Sequence, residues 1–381
     1  YECVPMRFIK HVYKIHTYAQ DGRLFEGKTP VSAFLNSSYD GSFIAGLMEL
    51  RYIQSLPVER IINYFESHGF TLKKPTAHKL MEKASSLFEN LYKCIRQTAL
   101  SDPYKAADET YYKILVPEKN SKGKGVSKGY LWVVVGINTR MIYLLYDDGS
   151  RSEKVILNEL GGCKGIIQSD GYSPYRKLES DAYPHITRIP CLQHIKRKFI
   201  DCGEDEPDAK RIVELINTLY QNEHKHKIGV DGWTVEQNLV HRKKYAPDIL
   251  GEIKDVLDDI EERGDLLPKS ELKEAVTYLR NEWNAVVDIF NYGDTYLDNN
   301  IVERMNRYIS LSRKNSLFFG SHKGAERGAI LYTIALTCRM NKVNLFEYLT
   351  DVINRTAEWQ PNTPLEKYRQ LLPDRWEKAN D

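Results

Sequence analysis

The chain contains few cysteines, and the ones it has are not paired along the sequence. Only 6 of its 381 residues are cysteine, and no two of them form a Cys-x-x-Cys pair. This number is low for a disulfide scaffold of such length, so a reducing compartment is expected. The chain begins at Tyr1 rather than at a methionine, which suggests truncation or processing. The lack of a signal peptide in this sequence therefore does not exclude a secreted protein.

Long apolar runs and a strong net charge are also missing. No stretch reaches the roughly 18–20 apolar residues that cross a bilayer, and the longest candidate, 328–338, lies between Arg327 and Arg339. We therefore expect no membrane partner. Lys and Arg total 54 against 52 Asp and Glu, so any basic surface must be local. The hydrophobic content of 42% excludes a disordered chain, and the length predicts two or three domains.

Residues 41–102 show helical spacing. Apolar residues in 58–65 recur at i, i+3, i+4 and i+7, Gly69 ends that helix, and a longer apolar face covers 77–91. Two helices joined by a short turn are the outline of a helix-turn-helix DNA-binding part, although an ordinary helical hairpin has the same pattern. Three cations near the start of the second helix could contact phosphates: Lys73, Lys74 and Lys79.

From residue 103 the pattern changes to β-branched and aromatic runs separated by polar turns. The predicted strands are 111–116, 130–137, 141–146, 165–169 and 186–191. Short helical segments follow the third, fourth and fifth of them. This order, βββαβαβα, is typical of a ribonuclease-H-like mixed sheet, whose first part we expect over 103–203.

Residues 204–297 are predicted to be a large helical insertion. Within it, 251–288 carry 11 acidic and 5 basic residues, a surface that would face solvent or a protein partner rather than DNA. Residues 298–357 are predicted to complete the core. There, 301–327 carry six Lys and Arg against two Glu, which is a local basic patch. The chain is thus predicted to be a multidomain α+β protein, flanked by an irregular segment at 1–40, with a turn at Asp21-Gly22, and a tail at 358–381.

Three carboxylates have positions suited to metal-dependent chemistry on phosphates. Asp108 lies at the head of the first predicted strand of the core, Asp170 lies where the fourth ends, and Glu303 lies on a helix. Mg²⁺ prefers oxygen ligands, and two ions about 3.5–4 Å apart can activate the attacking oxygen and stabilise the leaving one. The plain alternative is solvated surface charge, or a turn role for Asp170. Glu109 rivals Asp108, and strand alternation lets only one of them face the site.

Ordered blocks of the sequence resemble the transposase of the insertion-sequence 66 family. The blocks are Ala-Asp-Glu-Thr at 107–110, Asp-Gly-Tyr at 170–172, Cys-Leu-Gln-His at 191–194, Leu-Asp-Asn-Asn-Ile-Val-Glu-Arg at 297–304, Ser-Arg-Lys-Asn-Ser-Leu-Phe-Phe-Gly-Ser at 312–321, Ala-Ile-Leu-Tyr at 329–332 and Asn-Leu-Phe-Glu-Tyr-Leu at 344–349. Each block alone is weak evidence. The ordered set, over about residues 40–355, is specific.

The resemblance implies a DDE transposase with a ribonuclease-H-like core, in which Asp108, Asp170 and Glu303 form the acidic triad. They would hold two Mg²⁺ ions, for which Mn²⁺ can substitute. Water would cut at the element end, and the freed 3′-OH would attack target DNA. The implied partners are double-stranded DNA (transposon ends and target), a second copy of the chain on DNA and accessory proteins of the same element. The implied location is the bacterial cytoplasm, at the nucleoid. Two alternatives remain, a nuclease of this fold that does not join strands and a catalytically inactive DNA-binding protein.

Other residues near the triad are candidates for support. Cys191 and His194 are too few ligands for zinc, and the paired cysteines that the family carries near its N-terminus are absent here, so zinc is not expected. His194 could lie near the cleaved phosphate, and a buried Cys191 with a hydrogen-bonding His194 is the plain alternative. Asn299 and Asn300, one turn before Glu303, could orient water or DNA, or cap the helix. Further cations are expected to contact phosphates: Arg197, Lys198, Arg304, Arg307, Arg313 and Lys314.

Overall fold

The computed structural model is a mixed α+β protein with many helices. It describes all residues except 3–4, 28–31, 35–36, 119–122, 124, 265, 361 and 379–381. Cys3, one of the six cysteines, therefore lies outside the described residues. In the part of the chain that is described, no helix is both long enough and apolar enough to cross a bilayer.

The N-terminal part contains a small hairpin and four helices. They are β1 (Thr17–Gln20), β2 (Arg23–Glu26), α1 (Gly41–Tyr52), α2 (Val58–Ser67), α3 (Lys74–Leu87) and α4 (Glu89–Ser101). The predicted turn joins β1 to β2, with φ of 47° at Asp21 and 72° at Gly22. Two successive positive φ angles are typical of the two-residue turns that match strand twist.

The long apolar face predicted over 77–91 belongs to two helices rather than one. α3 ends at Leu87, and α4 begins at Glu89. Phe88 between them is fully buried, with φ of −92° and ψ of 2°. Because the apolar spacing continues through this residue, the sequence pattern could not indicate the break. The helix-turn-helix role of this part stays a prediction.

The larger sheet is mixed. Its strands are β3 (Tyr104–Leu115), β4 (Val126–Gly136), β5 (Met141–Leu145), β6 (Gly165–Ser169), β7 (Ile186–Pro190) and β8 (Phe318–Phe319). The order is β5-β4-β3-β6-β7, in which β3, β4 and β5 are antiparallel and β6 and β7 run parallel to β3, while β8 pairs with the end of β3. The intervening helices are α5 (Glu153–Leu160), α6 (Ser173–Arg176), which a short 3-10 turn follows, and α7 (Leu192–Asp201). The element order agrees with the prediction, whereas the ribonuclease-H-like assignment stays a prediction.

The central strand β3 begins at Tyr104, seven residues before the predicted start. Asp108 therefore lies inside the strand and not at its head. The early residues are paired with β6 and buried, and the Lys105 ammonium donates to the carbonyls of Asp102 and, at 2.8 Å, Lys164. A buried lysine is rare, because its charge must find internal partners. The charge of Lys105 interrupts the apolar pattern, so the sequence did not indicate that the strand begins at Tyr104.

The remaining helices form the insertion and the C-terminal part. They are α8 (Pro207–Glu223), α9 (Val235–Arg263), α10 (Glu271–Ile289), α11 (Asn300–Ser316), α12 (His322–Met340), α13 (Leu345–Thr356) and α14 (Leu365–Arg369). One hydrophobic core joins the N-terminal helices to the sheet and to α11, α12 and α13. A second core joins α8, α9 and α10 to β7 and α7. The insertion therefore packs on the edge of the sheet that lies beyond β6.

Candidate active site

Asp108 points from β3 toward α11. Its Oδ2 accepts a hydrogen bond from the Asn306 side-chain amide at 2.7 Å, and its Oδ1 accepts one from the Glu109 backbone N–H at 2.8 Å. Asn306 lies one turn after Glu303, so the two side chains lie near each other on the helix surface. β3 thus brings Asp108 to the helix that carries Glu303.

The carboxyl group of Asp108 is in an unfavourable place for a negative charge. Burial raises its pKa from the usual 3.8 to about 7, and the charges of Glu109 and Asp170 act in the same direction. The hydrogen bonds from Glu109 and Asn306 oppose this rise only in part. A divalent cation would relieve such repulsion between carboxylates.

Glu109 faces the other side of the sheet, as strand alternation requires. Its carboxylate pairs with Arg151 at 2.5 Å and accepts a hydrogen bond from the Tyr175 hydroxyl at 3.4 Å. Burial raises the pKa of Glu109, and Arg151 lowers it. Glu109 is therefore paired with a cation, whereas Asp108 is hydrogen-bonded to Asn306 of α11. Asp108 is the acid of this strand that faces that helix.

Asp170 follows β6, which is the neighbour of β3. Ala106 of β3 pairs with Gln168 of β6, and each predicted acid lies two residues beyond this pair. Asp170 accepts a hydrogen bond from the Tyr172 backbone N–H at 3.0 Å, which closes a tight turn after the strand. The parallel register therefore places Asp108 and Asp170 side by side.

Glu303 is turned toward α7. Its Oε1 lies 3.7 Å from Nε2 of His194. Among the described residues, the possible metal-binding atoms of Cys191, His194 and Glu303 lie within 4.8 Å of one another, and no such group unites the three predicted acids. The shared metal site of Asp108, Asp170 and Glu303 therefore stays a prediction.

Several buried polar atoms around Glu303 have no hydrogen-bond partner within the described part of the protein. They are Nδ1 of His194, Oδ1 of Asn299, Oε1 of Glu303 and Oδ1 of Asn306. Buried polar atoms are nearly always hydrogen-bonded, so a cluster of four indicates a place for a polar or charged ligand. The carboxylate and amide oxygens among them suit a hard divalent cation such as Mg²⁺.

Cys191 and Asn299 connect α7, α11 and β3. The Asn299 backbone N–H donates to the Cys191 sulfur at 3.2 Å, and the Asn299 side-chain amide donates to the carbonyl of Ala107 at 3.0 Å. Burial raises the pKa of the Cys191 thiol to about 11, so the thiol is neutral and accepts hydrogen bonds. These contacts fix the start of α11 beside the strand of Asp108.

The two predicted asparagines, Asn299 and Asn300, lie in different surroundings at the start of α11. Asn299 is buried on the side of Asp108, whereas Asn300 is exposed and its backbone N–H donates to Asp298 at 3.1 Å. Asn300 lines a cavity of about 450 Å³ together with Arg304 and Arg307. Asn299 therefore faces the strand of Asp108, whereas Asn300 shares its surroundings with two arginines of α11.

Some of the predicted DNA-binding cations already contact other residues of the protein, and others are exposed. Arg313 is half-buried, donates to the carbonyl of Tyr111 and stacks 4.0 Å from the centre of its ring. Lys74 pairs with Glu59 at 2.8 Å. The other predicted cations are exposed: Lys73, Lys79, Arg197, Lys198, Arg304, Arg307 and Lys314. Their contact with DNA stays a prediction.

Asn306 and Arg151 are among the side chains that contact the acids and that sequence reasoning missed. Asn306 could have been found, because its spacing from Glu303 puts both on one face of a helix. Arg151 could not, because 42 residues separate it from Glu109 and only the fold joins them.

Comparison with known proteins gives a family and three relatives. The model of the family described as "Transposase IS66 family" matches residues 36–327. Three uncharacterized proteins of Sinorhizobium fredii (strain NBRC 101917 / NGR234) are similar to this chain. They are y4jD (25% identical, over 87% of this chain and 65% of its own length), y4hP (24%, over 100% and 70%) and y4qI (25%, over 96% and 69%). The chain thus spans about two thirds of the length of these relatives.

Proposed function

The chain belongs to the IS66 transposase family, and from this premise we propose that it is a DDE transposase. It would hydrolyse a phosphodiester bond at each element end, and the freed 3′-OH would then attack a phosphodiester bond of target DNA, which joins the two strands and releases a 3′-OH of the target. The observation that carries the proposal is the side-by-side placement of Asp108 and Asp170, with the helix of Glu303 packed over Asp108.

In this proposal Asp108, Asp170 and Glu303 hold two Mg²⁺ or Mn²⁺ ions. Such ions activate the attacking oxygen and stabilise the leaving one. The raised pKa of Asp108 and the unpartnered oxygens of Glu303 and Asn306 support this assignment. To join the other two acids, Glu303 would turn away from His194.

The neighbours of the acids would keep them in place. Asn306 orients Asp108, and Asn299 ties the start of α11 to β3. His194 would then be free to face the DNA near the cleaved phosphate. A fixed spacing between strand and helix matters, because catalytic groups must stay within about 0.5 Å of their working positions.

DNA would contact the exposed cations through its phosphates. Arg304 and Arg307 on α11, with Arg197 and Lys198 on α7, lie on the two helices that carry Glu303 and His194. A second copy of the chain would bring the two element ends together, and accessory proteins of the same element would be further partners.

The test is a set of single substitutions assayed on DNA that carries the ends of the chain's own element. We expect Asp108→Asn, Asp170→Asn and Glu303→Gln each to reduce Mg²⁺-dependent cleavage to background while the Kd for DNA changes by less than about threefold, since metal ligands act on chemistry more than on phosphate binding. Glu109→Gln is the matched control, because this acid faces Arg151, and it should retain cleavage.

The alternatives give different results in the same assay. Cleavage without joined product would identify a nuclease, and DNA binding without any Mg²⁺-dependent cleavage would identify an inactive DNA-binding protein. A loss of DNA binding equal to the loss of cleavage would contradict the metal role of the acids.

A further inference from the structure

The peptide group that follows Asp170 is hydrogen-bonded at both of its ends. The Asp170 carbonyl accepts a hydrogen bond from Nη2 of Arg188 at 2.8 Å. The N–H of the same peptide group, which belongs to Gly171, donates to the Tyr278 hydroxyl at 2.8 Å. Tyr278 lies on α10, in the insertion, 107 residues away along the chain.

Arg188 itself depends on α10. It lies on β7, is fully buried and pairs with Glu282, which is also fully buried and lies one turn after Tyr278. Its Nε donates to the Ser169 hydroxyl at 3.0 Å, and its Nη1 pairs with Glu179. A buried guanidinium without a partner is costly, so Glu282, together with Glu179, holds Arg188 in place.

The contact with Tyr278 requires glycine at position 171. A Cβ added at Gly171 would lie 2.5 Å from the Tyr278 hydroxyl oxygen and 2.6 Å from its ring, closer than any real side chain approaches. Burial raises the pKa of Tyr278, which keeps the hydroxyl protonated. The Asp-Gly pair, which by sequence is an ordinary turn, is thus shaped to receive a side chain of the insertion.

Two explanations of this arrangement are possible. A buried ion pair and a buried hydroxyl can serve only to attach α10 to the sheet. However, a buried salt bridge often adds no net stability, and in some proteins such a pair is kept because it fixes geometry. Here the fixed geometry is that of one peptide group, whose plane sets the direction in which the Asp170 side chain leaves the backbone.

We propose that the insertion positions the second acid of the active site, with Tyr278, Arg188 and Glu282 as positioning residues for Asp170. This inference rests on the proposed function, because it assumes that Asp170 binds metal. It gives the insertion, whose 251–288 stretch is acidic and unsuited to DNA, a role inside the catalytic core.

The principal test is Tyr278→Phe, which removes the hydroxyl and leaves the ring in place. The probe is Mn²⁺, titrated into the complex of the protein with precleaved element ends and followed by the electron paramagnetic resonance signal of the free ion. We expect Mn²⁺ to bind about 10-fold more weakly, since loss of a group that orients a metal ligand costs about 10- to 100-fold in affinity. Half-maximal cleavage should require correspondingly more Mn²⁺, with the Kd for DNA unchanged.

The matched control is Tyr245→Phe. This substitution also removes a hydroxyl of the insertion, which donates to Glu223 at 2.8 Å and not to the peptide group that follows Asp170. It should lower the melting temperature about as much as Tyr278→Phe and leave Mn²⁺ binding as in the wild type. A second variant, Glu282→Gln, keeps an oxygen for Arg188, so we expect a weaker form of the Tyr278→Phe effect.

The outcomes separate the two proposals. Wild-type Mn²⁺ binding in Tyr278→Phe, or equal losses in Tyr278→Phe and Tyr245→Phe, would overturn the positioning role. If Asp170→Asn binds Mn²⁺ and cleaves DNA as the wild type does, the proposed function itself fails. If Asp170→Asn loses both while Tyr278→Phe keeps both, only the inference about the insertion fails.

Discussion

Asp108 and Glu109 are adjacent acids whose surroundings differ because β3 sends them to opposite faces. Glu109 receives a cation from Arg151 and a hydroxyl from Tyr175. Among the residues that the structure describes, Asp108 receives only amide hydrogens, from Asn306 and from the backbone. Amide hydrogens stabilise a carboxylate less than a cation does. Asp108 therefore carries the charge that the protein alone leaves uncompensated.

This difference predicts a pH dependence of stability in metal-free protein. The pKa of Asp108 is raised to about 7 from 3.8, so the group favours the fold fully below pH 3.8 and this contribution is lost as the pH rises through about 7. A shift of about three pKa units corresponds to about 4 kcal/mol in the free energy of unfolding. Because Asp108 is partly exposed and water screens its charge, we expect about 2 kcal/mol. With EDTA present, Asp108→Asn should thus exceed the wild type in melting temperature by more at pH 8 than at pH 5.

Mg²⁺ supplies the complementary measurement. Because a bound cation would cancel the repulsion at Asp108, Mg²⁺ should raise the melting temperature of the wild type more at pH 8 than at pH 5, and raise that of Asp108→Asn little at either pH. Identical pH profiles of the wild type and Asp108→Asn without metal would contradict the assigned pKa.

At the scale of elements, the outer edge of the large sheet is covered by a helix. β5 is the edge strand, and α12 places two fully buried threonines against its backbone. The Thr333 hydroxyl accepts a hydrogen bond from the Leu144 N–H at 2.9 Å, and the Thr337 hydroxyl donates to the Ile142 carbonyl at 2.8 Å. An edge strand that lacks such partners would leave buried backbone groups unpaired or open to another chain.

Thr333→Val should therefore destabilise the protein without altering its chemistry. The substitution keeps the side-chain shape and leaves the Leu144 N–H without a partner, which costs about 1–3 kcal/mol. Urea denaturation measures this loss, and DNA cleavage by the folded variant should equal that of the wild type. Thr350→Val is the control, since the Thr350 hydroxyl donates to the Phe346 carbonyl of its own helix at 2.7 Å and to no strand of the sheet in the described part of the chain. Equal stability of the two variants would show that the edge needs no such partner.

The elements also show how far sequence reasoning reaches. The order of strands and helices along the chain and the position of Asp170 at the end of a strand follow from local patterns, because β-branched runs and turn residues are adjacent in sequence. The predicted start of the first strand was wrong because Lys105 is buried, with carbonyl partners that only the fold supplies. The break between two helices at Phe88 was missed because the apolar spacing continues through it. The contact of Tyr278 with Gly171 spans 107 residues and has no local signal.

At the scale of the whole molecule, two parts of the chain near the candidate site carry opposite net charges. The 251–288 stretch of the insertion carries 11 acidic and 5 basic residues, whereas 301–327 carry six basic and two acidic ones. In the proposed function, DNA would be attracted to the second surface and repelled by the first. A strand that approaches Glu303 would therefore lie along α11, on the flank of Arg304 and Arg307.

The salt dependence of DNA binding tests this path. Each phosphate that a protein cation neutralises adds about 0.9 to the slope of log K against log salt for double-stranded DNA. Replacing Arg304 and Arg307 together by Ala should thus reduce the slope by up to about 2, because both side chains are exposed on α11, the helix that carries Glu303. Fluorescence anisotropy with labelled element ends at several salt concentrations gives the slope.

The control is a double replacement of Arg211 and Lys254 by Ala. Both cations are exposed on the insertion and pair with acids there, Arg211 with Glu252 at 2.5 Å and Lys254 with Asp258 at 3.4 Å. Their loss should leave the slope unchanged, since cations neutralised on an acidic surface release no counterions from DNA. If the control lowers the slope as much as the α11 variant does, DNA crosses the insertion, and the division of charge between the two parts does not determine its path.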